Sequence, residues 1–152
     1  MAHIHERIDF TASVYVVFEN KVLLHKHKKY NIWLPPGGHI ELDEDPVQAA
    51  KREVKEETGL DVKLVGESEK RWADKSIELL PPRFVNRHYT EAGKNHEHVD
   101  FIYLGTSESD ALTPEDEDGE MRWFSKEDMG VNPEIKDNIR FYAPTALHEL
   151  AT

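Results

Sequence analysis

The chain has no cysteine. Disulfides, a thiol nucleophile and thiolate metal sites are thereby excluded, and oxygen and imidazole remain as metal ligands. It has no apolar run approaching the length of a membrane span, and its opening residues, MAHIHERIDF, lack the basic-then-apolar order of a signal peptide. The expectation is a cytoplasmic protein with no membrane partner. Positive charge is also scarce: 19 Lys and Arg stand against 30 Asp and Glu, a net charge of −11 with His neutral. Such a surface repels a nucleic-acid backbone, so no nucleic-acid polymer is expected as a partner. No repeat and no linker interrupts the 152 residues, and a 38% hydrophobic content is enough for one domain, residues 1–152, with a real core.

What the chain does have is GHIELDEDPVQAAKREVKEETGL, from Gly38 to Leu60. Asp45 is a good helix N-cap, Pro46 suits the first helical position, and Gln48 closes a capping box back to Asp45. Gly59 can take the left-handed conformation that ends a helix, with Leu60 as the accompanying apolar contact. The spacing therefore predicts a helix from about 46 to 58. Val47, Ala50 and Val54 form a narrow apolar stripe, and Glu53, Glu56 and Glu57 lie on its shoulder. Three like charges three and four residues apart repel one another, and an ordinary solvated helix would interleave lysines there. A hard cation removes the conflict. Arg52 can reach Glu56 or Glu44 with its planar head and fix carboxylate orientation behind the metal ligands.

Leu34-Pro35-Pro36-Gly37-Gly38-His39 leads into this segment, and its glycines let the backbone come close to a ligand or offer a carbonyl to a cation. Gly38, Glu44, Arg52-Glu53-Val54, Glu56-Glu57 and Gly59-Leu60, at these spacings, resemble the complete Nudix box. The resemblance implies Mg²⁺-dependent hydrolysis, with Mn²⁺ as a substitute, of a nucleoside diphosphate linked to another group. It implies that Glu56, Glu57 and the Gly37 carbonyl hold the metal, and that Glu53 either binds metal or accepts the proton of the attacking water. Arg52 joins them as part of the catalytic set, with Glu44 behind it. A nucleoside triphosphate, a nucleotide sugar, ADP-ribose and a dinucleotide all remain as substrates. The proline that ADP-ribose-type members carry about fifteen residues past the box is not matched, since Lys75 and Ser76 stand there. The alternative is a Nudix-fold nucleotide sensor without turnover. The resemblance leaves a homodimer open.

Phe10 to Phe18 and Val22 to His27 read as a strand hairpin, Trp33-Leu34 as a short strand, and Asp61 to Val65, His96 to Gly105 and Met121 to Phe124 as further strands. Residues 66–95 read as irregular chain or a short hairpin shaping the substrate pocket. Pro133 to Leu150 reads as a helix that Pro144 breaks or kinks. The fold class is α/β (α+β), an α/β/α sandwich around a mixed β-sheet, as the resemblance also implies.

Other candidates carry less. The resemblance implies a further carboxylate from a loop before the late strand, and Glu117 and Glu120 are the choices; the plainer reading is a solvated acidic loop. Lys28, Arg83, Arg87 and His98 are candidate substrate contacts. His25 and His27, and His96 and His98, each share one strand face, which admits zinc, but lysines beside the first pair oppose it. Polar strand positions facing a pocket or water are the favoured reading of all four. Trp33, Trp72, Trp123, Tyr89 and Tyr103 could stack on a base, although most suit the core better.

Overall fold

The computed structural model describes residues 7–67, 70–90 and 93–151. Its centre is β1 (Ile8–Phe18), which turns at Glu19-Asn20 into β2 (Lys21–His27). β3 (Ile32–Leu34) and β4 (Gly37–His39) follow, then α1 (Pro46–Thr58) and β5 (Lys63–Leu64). β6 (Lys70–Arg71) and β7 (Ile77–Glu78) make a small separate hairpin. β8 (Phe84–Thr90) returns along β9 (Gly93–Thr106), and β10 (Glu120–Phe124), α2 (Lys126–Val131) and α3 (Asp137–Leu150) complete the chain.

The main sheet runs β10-β2-β1-β9-β5, with β3 on β2, β4 on β1 and β8 on β9. β1 and β9 are parallel, from Ile8 opposite Glu97 to Val17 opposite Thr106, while the other pairs are antiparallel. The sheet is therefore mixed. The period-two alternation of β1 divides the core between two layers. Ala12, Val14 and Val16 pack with Ala49, Ala50 and Val54 of α1, and Tyr15 and Val17 pack with Ile139, Tyr142 and Ala146 of α3. Fully burying the valine and isoleucine side chains among them contributes about 1.5–3 kcal/mol each, so the two helix layers hold the sheet rigidly beneath whatever site it carries.

Two expectations change. Residues 84–90 form a full sheet strand where irregular chain or a short hairpin is expected, because the backbone of β9 supplies a pairing edge that composition does not reveal. The last helix begins at Asp137, not near 133, and runs through Pro144. Residues 132–136 are instead held by Arg140, whose guanidinium donates to the carbonyls of Met129, Asn132 and Ile135 at 2.8, 2.6 and 3.0 Å.

Candidate active site

α1 starts and stops where its sequence says. Asp45 accepts from the Gln48 backbone N–H, the Gln48 side chain accepts from the Asp45 N–H, and Gly59 adopts φ 80°. The helix lies against β4, and their approach needs glycine: a Cβ on Gly38 would stand 2.6 Å from Glu53 Cδ, and one on Gly37 2.8 Å from Ser13 Cα. Glu53 is thereby enclosed, at 7% exposure. The Gly37 N–H donates to Glu57 Oε1 at 3.3 Å, and His25 Nε2 lies 3.6 Å from the other Glu57 oxygen.

Arg52 organises the remaining carboxylates. Its Nε and Nη2 grip both oxygens of Glu44 at 3.0 and 2.7 Å, its Nη1 donates to Glu53 and Glu56 at 3.0 and 3.1 Å, and its Nη2 also donates to the His39 carbonyl at 3.0 Å. The planar fork joins the box loop, the helix and β4 through one side chain. Its hydrogen bonds lower the Glu44 pKa, and the Glu44 contact first, then Glu53, raises that of Arg52.

Among the described residues Glu57 pairs with no guanidinium or ammonium, and His25 is its neighbour at 3.6 Å. Burial first, then the neighbouring Glu53 carboxylate, raises the Glu57 pKa well above the ordinary carboxylate value, against a smaller opposing effect of the Gly37 N–H. Two carboxylates this close and this desolvated share a proton unless a cation replaces it. An all-oxygen donor set that is short of positive charge fits Mg²⁺ or Mn²⁺. A stability consequence follows. The folded pair holds a proton that the unfolded chain has released, so without metal stability should fall as pH rises above the ordinary value of 4.5. Thermal unfolding across pH should show this fall, and Mg²⁺ should raise Tm more at higher pH. A Tm gain independent of pH would refute the shared proton.

Beside the box opens a cavity of about 720 Å³, lined by Gly37, Gly38 and His39 and reaching Thr11, Ser13, Asn86, His98, Asp100 and Tyr142. Asp100 is its half-buried acid. Thr11 Oγ1 and Ser13 Oγ donate to its two oxygens at 3.0 and 2.7 Å, and Asn86 is held by the Tyr142 hydroxyl at 3.1 Å. Burial raises the Asp100 pKa, while the Ser13 and Thr11 hydroxyls pull it back. A second cleft, of about 370 Å³, lies between Glu57, His25, Lys28, Glu115 and Glu120.

A family model of the NUDIX domain matches residues 9–144. The chain belongs to the NUDIX domain family. A crystal structure of a NUDIX family hydrolase from Clostridium perfringens superposes with a TM-score of 0.79 at 37% identity, covering 93% of this chain and 97% of the other. A "Probable DHNTP pyrophosphohydrolase" from Lactococcus lactis subsp. cremoris (strain MG1363) is 35% identical over 101 residues, 66% of this chain and 55% of the relative. The Xenopus laevis m7GpppN-mRNA hydrolase NUDT17 is 38% identical over 89 residues, 54% of this chain and 30% of the relative. The match thus spans about half the length of the first of these curated relatives and less than a third of the second. The α/β/α arrangement and the box helix are those the NUDIX resemblance implies.

The structure gathers some sequence candidates and separates others. Glu44, Arg52, Glu53 and Glu56 form one hydrogen-bonded group, with Glu57 and Gly37 beside it. Glu120 lines the cleft that Glu57 faces, whereas Glu117 is exposed in the turn outside that lining. Glu115, not among the candidates, is nearer: its N–H donates to the Glu57 carbonyl at 3.3 Å, and its charge helps raise the Glu57 pKa. Lys28 lines the same cleft and pairs with Asp116 at 3.3 Å. Arg87 lines the larger cavity but is committed to both oxygens of Glu97 at 2.8 Å, and Arg83 is paired with Glu149 away from it. His98 lines the cavity, and burial first, then His39, His88 and His96, pushes its imidazole down to about 4. Trp33 and Tyr103 are core, and Tyr89 stands exposed at the cavity rim. No helix among the described residues is long and apolar enough to cross a membrane.

Sequence reasoning missed Asp100, Thr11 and Ser13. Polar residues at every second position of an otherwise apolar strand were their signal.

Proposed function

We propose that this chain is a divalent-cation-dependent pyrophosphohydrolase acting on a small nucleotide-type polyphosphate. The observation that carries the reading is the Glu53–Glu57 pair, buried at Glu53, half-buried at Glu57 and short of positive charge, beside a cavity large enough for a base and sugar. Glu53, Glu56, Glu57 and the Gly37 carbonyl would hold the cation. When bound, Mg²⁺ supplies neutralisation of the diphosphate and a lowered pKa for a coordinated water. Arg52 keeps the carboxylates in place, and β4, paired to β1, sets their distance from the cavity. In hydrolysis the water oxygen attacks phosphorus, the anhydride P–O bond breaks, and a box carboxylate takes the water proton.

Asp100 supports a ring with adjacent N–H donors, such as guanine or another 2-amino-4-oxo ring, since a carboxylate accepts two parallel hydrogen bonds. The name of the Lactococcus relative places DHNTP in the same test. Asp100→Asn should raise KM for such substrates by about tenfold to a hundredfold, the worth of one charged hydrogen bond, and leave kcat nearly unchanged. Equal KM values in steady-state assays would remove Asp100 from ring recognition.

The reaction class is tested by product release from nucleoside triphosphates, nucleotide sugars, ADP-ribose, dinucleoside polyphosphates and DHNTP with Mg²⁺. Turnover of one class that needs the cation is expected. Binding without turnover of any would favour the sensor.

A further inference from the structure

We propose a second metal site, formed by Asp9, His39 and His98 and independent of the box glutamates, that takes a divalent transition ion of the zinc class. The three residues come from three neighbouring strands. Asp9 of β1 lies directly opposite His98 of β9 in the parallel register, and His39 of β4 lies opposite Thr11, two residues along β1. Residues directly opposite share a sheet face, as do residues two apart, so all three side chains stand on one face.

Their donor atoms lie within 4.8 Å of one another. Asp9 Oδ2 is 3.4 Å from His39 Nε2. Two ligands of one tetrahedral zinc, bonded at about 2.0–2.1 Å, stand about 3.3 Å apart, so this pair needs little movement. His96 Nε2 lies 3.0 Å from the same Asp9 oxygen and orients the carboxylate, as a partner behind a metal ligand does. The His98 ring is 5.1 Å from that of His39 and 5.8 Å from that of His88.

Burial and donor chemistry point the same way. Asp9 is 2% exposed, and a carboxylate so buried requires a positive neighbour. A proton on an imidazole answers that need singly, whereas a divalent ion uses the carboxylate and both imidazoles together. Imidazole and carboxylate favour zinc over Mg²⁺, while the box offers oxygen alone. The two sites thus select different ions. The ion ties β1, β4 and β9 together, and β4 carries Gly37 and Gly38 under the box helix, with the His39 carbonyl held by Arg52. Zinc stiffens the cavity wall and supplies no step of hydrolysis.

The test uses the full chain, stripped of metal, placed in excess Mg²⁺ and titrated with zinc. Metal analysis after gel filtration gives the stoichiometry, and X-ray absorption gives the ligands. One zinc per chain is expected, with nitrogen and oxygen neighbours, an imidazole signature and a raised Tm, in the wild type, in Glu57→Gln and in His3→Ala/His5→Ala. His98→Ala and Asp9→Asn should weaken binding by about a hundredfold or more. If His98→Ala does not fold, the shape-preserving Asp9→Asn decides by the same readout. Unchanged zinc affinity in Asp9→Asn, displacement by Mg²⁺, or loss of zinc in Glu57→Gln or in the double histidine variant would overturn the site.

Discussion

Glu57→Gln should lower kcat by about a thousandfold while leaving the fold and nucleotide binding in place. The amide has the shape of the acid, and its carbonyl can still accept the Gly37 N–H that now reaches Glu57 Oε1 at 3.3 Å. What it lacks is charge. Charge is also what makes the wild-type pair unfavourable without a cation, since burial and the Glu53 carboxylate both raise the Glu57 pKa. The substitution should therefore leave the metal-free protein as stable as the wild type at neutral pH, or more so. It should also shrink the Mg²⁺-induced gain in Tm. A residue needed only for packing would move activity and stability together, in the same direction. Full turnover by Glu57→Gln, or a loss of stability alongside the loss of rate, would exclude this role.

How much could be read beforehand depended on whether the deciding contacts are local. Asp45, Pro46, Gln48 and Gly59 define α1 through hydrogen bonds within a few residues, and the helix has the bounds their spacing predicts. The β1–β2 hairpin is equally local, with Phe18 opposite Lys21. β8 is different. Its residues alternate poorly in burial, and only pairing to β9 makes them a strand. The site divides in the same way. Crowding of Glu53, Glu56 and Glu57 is visible in one helix turn, whereas Thr11 and Ser13 meet Asp100 from nearly ninety residues away, through a parallel register no short pattern encodes. The apolar pattern of the first strand starts at Phe10, one residue after Asp9, on which His39 and His96 converge.

Arg52→Ala should cost about 3 kcal/mol of stability, and urea unfolding of the metal-free protein is the measurement. The guanidinium is about one quarter exposed, its partners Glu44 and Glu53 are only about a tenth exposed, and it is within hydrogen-bonding distance of three carboxylates and one carbonyl. Removing it leaves Glu44, Glu53 and Glu56 without that cation beside an already crowded Glu57. The penalty is electrostatic, so lower pH, which neutralises the carboxylates, should return part of it, and Mg²⁺ should return more stability to the variant than to the wild type. Arg52→Lys separates charge from geometry. An ammonium restores one positive charge but cannot reach Glu44, Glu53, Glu56 and the His39 carbonyl together, so stability should recover in part while kcat stays about a hundredfold low. If lysine restores both in full, charge alone suffices and the fork has no positioning role. If alanine loses no stability, the network seen around Arg52 does not hold the box helix to β4.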